Sequence, residues 1–453
     1  MNKIQKIALT YVVIMLGVIY GYMVGRFQVF PYQLVETLAK DFEAFAAGDQ
    51  LENKTSVIEK LQNDFGWNWG RVLYPYPEVA VMNSRAIDHP TLSKRKEPPR
   101  VFVAPEHQQG YRLVIGAMDL ENAFWGGLLL GPTGDILHTW ELSMSDLPGE
   151  RAEGSAVILY GVDVFPDGSV IFNMGKQGGG IVKVDPCSNV VWDLPGLFHH
   201  TISGDEHGYF WTFSGLDSSF DQDMIKVSVD TGEIVQRINM EDVRKANPRI
   251  SIWDLDGGAF AWTANTNAKV AGDMTHGNDI EPLPQSLAAD FPQFSPGDLA
   301  ISYRTTNLIF ILDPKSLKVK WWRVGVTDTQ HDVDWEPGGI LSIFSNNQRT
   351  KKTSDVISIR PSTYEWNVAV DGAKLGLFSE IQSSHSLSPY GTRMITSAQQ
   401  GWVVEVDKNQ ERVFSFINNL DFKNRKALHV SDAFYFDADY FDEKFWTQRC
   451  QTN

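Results

Sequence analysis

His276-Gly277-Asn278, Ile301-Ser302-Tyr303-Arg304 and Gln330-His331-Asp332 are three polar sites within one stretch, Asp273 to Asn347. Between them lie short apolar runs, among them Asn307-Leu308-Ile309-Phe310-Ile311-Leu312-Asp313 and Gly339-Ile340-Leu341-Ser342-Ile343-Phe344. These runs have strand length and are separated by Gly and Pro turns, which is the pattern of antiparallel β structure. Two imidazoles and a guanidinium carried on such a frame suit an anionic ligand.

Moving outward, the same punctuation recurs from residue 101 onward. A polar residue is followed by a Pro or Gly turn: Tyr160 by Pro166-Asp167-Gly168, His200 by Gly208, His276 by Pro282, His331 by Pro337-Gly338, and His385 by Gly391. His429 starts a sixth copy. In a propeller the innermost strands line a central channel, so equivalent positions of successive blades form a ring. Five of the six positions are histidine in a chain that has ten, which random placement would rarely produce. The C-terminal copy lacks the strands that should follow it. Tyr111 to Leu142 can supply them, so that the two ends of the chain close one blade and the ring has six blades. The alternative is a seven-bladed ring using part of Ile250 to Met274. That segment, with Trp253, Phe260 and Trp262, can instead form a loop over the channel mouth.

Composition agrees with one large β domain. Hydrophobic residues are 43% and aromatics 12% of the 453 residues, enough for a sizeable core. The net charge of -16 argues against a nucleic-acid partner, which needs clustered Lys and Arg to displace counterions. No Gly-rich phosphate loop lies between a strand and a helix, so a nucleotide donor has no obvious seat. The two cysteines, Cys187 and Cys450, have no zinc spacing. They can pair outside the cytosol or stand as two unrelated thiols. Pairing would pin the C-terminal tail to an outer turn of the second blade.

At the N-terminus, Lys3 and Lys6 precede an uncharged run from Ile7 to Gly25 that is long enough to cross a bilayer as a helix. No small-x-small cleavage site follows it, so an uncleaved anchor is preferred to a signal peptide. The flanking lysines place the N-terminus inside and the rest of the chain on the outer, periplasmic side of the cytoplasmic membrane. Gly17, Gly21 and Gly25 share one face of this helix at an interval that lets two copies pack as a homodimer. Leu34, Leu38, Phe42 and Phe45 then recur at helical spacing, as do Val57, Ile58, Leu61 and Phe65. The expected organisation is an anchor over residues 1–26, a helical stalk and irregular wrap over 27–100, and an all-β six-bladed propeller over 101–453.

The order H-x-N, then S-x-R-x-x-N-x-I-x-x-[IL]-D, then Q-H-D resembles the arylsulfate sulfotransferase family, periplasmic β-propellers that move a sulfuryl group between phenols without a nucleotide donor. The likeness covers roughly residues 155–436. It implies an aryl sulfate donor, a phenolic acceptor, no cofactor and a sulfohistidine intermediate. It also implies that His331 is the nucleophile and His276 the acid/base, while Asn278, Arg304 and His200 hold the sulfuryl group. His199 can replace His200, and Ser384 or Ser386 can supply a further hydroxyl. Asp332 beside the nucleophile is placed to orient its ring. Taken singly, each of these residues is more often structural, and it is their joint order that points to catalysis. Two other classes stay open on the residues alone. One is a propeller that binds a metal through its channel histidines, a use that Arg304 opposes. The other is a membrane-anchored scaffold without catalysis.

Overall fold

In the computed structural model, the described residues are 73–93, 95–119, 124–142, 159–174, 180–215, 223–252, 275–448 and 450, together with Met15 and Tyr20. Residues 1–60 and 61–453 form two compact units. Met15 and Tyr20, the described residues of the first, are helical. The anchor read over residues 7–25, the two stalk helices and the aromatic segment 253–274 otherwise lie outside the described residues. Among the described residues no helix is long and apolar enough to cross a membrane.

The second unit is a six-bladed β-propeller. Blade 2 comprises the strands Val162–Val164, Val170–Asn173, Gly180–Val184 and Val190–Pro195; blade 3 comprises Phe198–Gly204, Tyr209–Ser214, Asp223–Ser228 and Ile234–Ile238. Blade 4 runs from Gly277–Pro282 through Leu299–Tyr303 and Leu308–Leu312 to Val319–Val324, and blade 5 from Val333–Glu336 through Ile340–Ser345 and Asp355–Arg360 to Glu365–Val370. Blade 6 is built from Ser384–Leu387, Arg393–Ser397, Trp402–Val406 and Arg412–Ile417. Arg100–Val103 and Arg85–Ala86 extend its outer edge, so the wrap ahead of the propeller is in part a continuation of this sheet. Blade 1 joins the two ends of the chain. Val430–Phe436 is its innermost strand and pairs antiparallel with Tyr111–Asp119, Phe436 opposite Tyr111.

Burial explains the strand compositions. The middle strands of each blade are covered by the blades on both sides, and Leu299–Tyr303, Leu308–Leu312 and Trp402–Val406 are buried at every position. That is why they read as continuous apolar runs. Outermost strands are covered on one side only, and Val319–Val324 alternates accordingly. The turn glycines have a local reason as well. Gly168 has φ +78, and a Cβ there would stand 2.1 Å from the ring of Phe445.

Phe445 belongs to a C-terminal tail that crosses from blade 1 to blade 2. It stacks on Trp140 at 6.0 Å, Asp442 N–H donates to Pro166 O at 2.9 Å, and Tyr440 Oη–H donates to Val164 O. Cys187 and Cys450 are joined by a disulfide that closes a separation of 263 residues. The bridge thus locks the ring closure that the Val430–Phe436 strand begins. Cys187→Ser is expected to cost roughly 2–5 kcal/mol, because the unfolded chain regains the freedom of a long loop. The check is thermal unfolding with and without reductant. Wild type should fall to the level of the variant when reduced; a wild-type melting temperature indifferent to reductant would contradict it.

Candidate functional site

The polar residues reach the channel because the innermost strands are irregular where they begin. Pairing shifts register between His199 and Ser203 in blade 3 and between Gly277 and Asp279 in blade 4. His200, His276 and Asp332 have φ of 54, 49 and 32 respectively, a region that side-chain-bearing residues rarely occupy. Such bulges bend a strand and re-aim a side chain, and strain of this kind gathers at functional sites. Gln382 and Ser383 continue the series at φ 56 and 83.

His200, His276 and His331 come together. The Nε2 atoms of His200 and His276 are 3.1 Å apart, and the His200 and His331 ring centroids 5.3 Å apart. His199 joins the same cluster, with centroids 4.0 Å from His200 and 4.6 Å from His276. Tyr160 packs against both His199 and His200. Arg304 follows the second strand of blade 4, where its N–H donates to His276 O at 3.0 Å. Asn278 is buried and donates from Nδ2 to Gln330 O at 2.8 Å. The Gln330 side chain ties two strands of blade 4, donating to Tyr303 O and Leu308 O, so Gln330 of the Q-H-D triplet fixes the backbone that carries His331.

The orientation of His331 differs from the sequence expectation. Asp332 does not hold its ring. Asp332 instead accepts from Nδ1 of His385, whose Nε2 meets Ser342 Oγ at 2.8 Å. The partner of His331 is Asn346, which sequence reasoning missed. Its Oδ1 lies 2.7 Å from His331 Nδ1, while its Nδ2 donates to Ser379 O and Gln382 O, each at 2.9 Å. Asn346 Oδ1 can only accept, so His331 Nδ1 carries the proton and Nε2 the lone pair. That lone pair receives the N–H of Gln382 at 3.0 Å.

The remaining channel histidines take other partners. His385 is held by Asp332 and Ser342, and His429 Nε2 meets Gln382 Oε1 at 2.7 Å. Ser384 and Ser386 both line the channel cavity, and Ser384 Oγ is bonded to Asp432.

Burial and the Arg304 charge push His331 down to about 3. His200 is pushed well below its ordinary value by burial, by the three neighbouring imidazoles and by Arg304. His200 and His331 are therefore neutral at pH 7 beside a permanent cation, a field that favours an anion. A cavity of about 140 Å³ is lined by His200, Asn278 and His331 and, further along, by carboxyl groups; His276 and Arg304 are outside its lining. Burial raises those carboxyls, Asp279 to about 6 and Asp432 to about 7, and burial followed by the neighbouring carboxylates raises Asp332 and Asp334 well above their usual range. The cavity thus has one part lined by the His200 and His331 imidazoles and Asn278, on which the Arg304 charge acts, and another lined by carboxyl groups. An anion fits the first.

The fold and this cluster define a six-bladed propeller with an anion-receptive histidine site in its central channel. The chain belongs to the arylsulfotransferase (ASST) family, whose model matches residues 161–419. No curated protein matches it. Among solved structures it is similar to a protein of unknown function from Bacteroides caccae, at 11% identity and TM-score 0.46 over 72% of this chain and 98% of that one. It is also similar to TolB from Acinetobacter baumannii, at 9% identity and TM-score 0.43 over 73% of this chain and 67% of that one.

Proposed function

We propose that this chain moves a sulfuryl group from an aryl sulfate to a phenolic acceptor through a sulfohistidine on His331. The observation that carries the reading is the hydrogen-bond pattern around that ring. Asn346 fixes the tautomer that puts the lone pair on Nε2, where the Gln382 N–H caps it in the resting state, in a group kept neutral by burial. Attack by Nε2 forms the N–S bond as the aryl S–O bond breaks. The Gln382 N–H bond gives way at that moment, and His276 delivers a proton to the departing phenolate. Arg304, His200 and Asn278 hold the sulfuryl oxygens. The acceptor phenol then loses its proton to His276 and takes the sulfuryl group, which returns His331 to its starting state.

The disulfide between Cys187 and Cys450 fits an oxidising compartment. Together with the apolar run 7–25, it supports a propeller tethered on the outer side of the cytoplasmic membrane.

The test is incubation of the purified chain with a chromogenic phenyl sulfate and a phenol. Arg304→Leu should lower kcat/KM about a hundredfold by removing transition-state charge stabilisation, and Arg304→Lys should recover only part, because one ammonium does not reproduce the guanidinium fork. Wild-type enzyme that transfers no sulfuryl group to any phenol, or full activity in Arg304→Leu, would reject this assignment of the site.

A further inference from the structure

We propose that His199, His200 and His276 form a binding site for a zinc-class divalent ion, and that filling it is incompatible with sulfuryl transfer. The incompatibility rests on the reading above, in which His200 and His276 act on the sulfuryl group and the phenol. The metal site itself rests only on the three imidazoles.

Each histidine brings one ring nitrogen to a point where all three lie within 4.8 Å of one another. The His200 and His276 Nε2 atoms, 3.1 Å apart, are close to the spacing of two ligands on one tetrahedral zinc, about 3.3 Å for bonds of the usual length. His199 is prepared from behind. Its Nδ1 lies 3.2 Å from Gly277 O. A carbonyl can only accept, so Nδ1 carries the hydrogen and Nε2 the lone pair. That is the tautomer a metal-bound imidazole takes when a backbone carbonyl orients it. His199 and His200 are buried and His276 half-buried, and of the three His200 lines the channel cavity. In the metal-free state the two facing Nε2 atoms share one hydrogen. Zinc takes its place, and the proton that His276 carries for the transfer reaction is released to solvent, so that all three ligands are neutral imidazoles.

Arg304 acts against a cation here, since its charge reaches both His200 and His331. An anionic fourth ligand such as hydroxide reduces that repulsion, and three protein nitrogens leave one tetrahedral position for it. The other cluster with ligand-like spacing, Asp332, Asp334 and His385, is less suited. Both ring nitrogens of His385 are engaged there, by Asp332 and Ser342.

The experiment strips the full-length chain with a chelator and titrates it with Zn2+ by calorimetry, using Co2+ as a spectroscopic probe. The expected result is one ion per chain with the visible spectrum of four-coordinate Co2+, and a loss of affinity of at least about a hundredfold in His199→Gln. Turnover of phenyl sulfate by wild type should fall in step with zinc occupancy and return when a chelator removes the ion. Absence of one-to-one binding, a six-coordinate Co2+ spectrum, or unchanged affinity in His199→Gln overturns the site. The spectrum is read on wild type, so the outcome does not depend on the variant folding. If no phenol is sulfated under any condition, it is the sulfotransfer reading that fails, while the titration still decides the metal site.

Discussion

His331→Asn is expected to lower release of phenol from a chromogenic phenyl sulfate by about ten-thousandfold or more, and to abolish the gain of one SO3 group when donor is supplied without acceptor. The size of the effect follows from the route. A covalent intermediate splits the transfer into two displacements, and removing the nucleophile forces direct transfer between two phenols that the site was not built to hold in line. Asparagine can keep part of the packing but offers no nitrogen lone pair. The fold should survive, since His331 lies in a short loop before Val333–Glu336 and its N–H bond to Phe344 O belongs to the backbone. Two measurements are needed: steady-state phenol release, and intact mass after donor alone. A variant that still releases phenol at the wild-type rate, or still acquires the sulfuryl mass, removes His331 from the nucleophilic role. A second consequence concerns order. The phenol must leave before the acceptor enters, so wild-type double-reciprocal plots should be parallel.

Most of the propeller was legible because its signals are local and repeated. Apolar runs covered on both faces, glycines in left-handed turns and a histidine at or near the start of five of the six innermost strands all recur at matching positions. Even the closure of blade 1 by the two chain ends could be read, since Val430–Phe436 lacked downstream strands and Tyr111 to Leu142 lacked an inner one. The site was legible in part, for the same reason. His200, His276 and His331 stand at blade-equivalent places at the start of innermost strands, so order in the sequence becomes proximity in the channel, and Arg304 follows the second strand of the blade that carries His276. What escaped was any pairing that depends on the rotation of one blade against the next. Asp332 is the immediate neighbour of His331, yet the innermost strand carries their side chains in different directions, and the Asp332 carboxylate reaches His385 of blade 6. Asn346 lies 15 positions downstream of His331 and looks like a turn residue. A signal was present nonetheless. Asn346 follows Ile340–Ser345 as Arg304 follows Leu299–Tyr303, so both occupy the first position beyond the second strand of their blades. Comparing blade with blade, instead of scanning for motifs, would have found it. His199 escaped for a different reason. Adjacent strand residues normally face opposite ways, and only the bulge beginning at His199 lets both imidazoles of the pair join one cluster.

Asn346→Ala should reduce kcat about a thousandfold while leaving KM for the aryl sulfate within a few-fold of wild type, although Asn346 touches only protein groups. Its amide cannot turn over without giving up hydrogen bonds, because both hydrogens of Nδ2 are spent on Ser379 O and Gln382 O. Oδ1 therefore faces His331 as an acceptor and holds the proton on Nδ1. Without it the ring keeps the Gln382 N–H at Nε2 and the Thr329 backbone but loses the side-chain partner that fixes its angle, so the imidazole can rotate out of line with sulfur. Loss of the residue that sets a catalytic tautomer costs up to about ten-thousandfold in other histidine-dependent enzymes. Truncation also removes one hydrogen bond each from Ser379 O and Gln382 O, which destabilises the fold. Asn346→Asp separates the two effects. A carboxylate keeps the acceptor and adds a negative charge beside the ring, so the His331 pKa must rise from its present value of about 3. The neutral, nucleophilic form is the deprotonated one, so raising the pKa depletes it as pH falls. The acid limb of kcat/KM therefore moves to higher pH in Asn346→Asp, whereas in wild type the neutral form of His331 persists throughout the range from pH 5 to 7. A purely structural Asn346 would change melting temperature and leave the position of that limb alone. Wild-type kcat in Asn346→Ala, or an unmoved acid limb in a folded Asn346→Asp, would show that His331 does not depend on this amide for its reactive form.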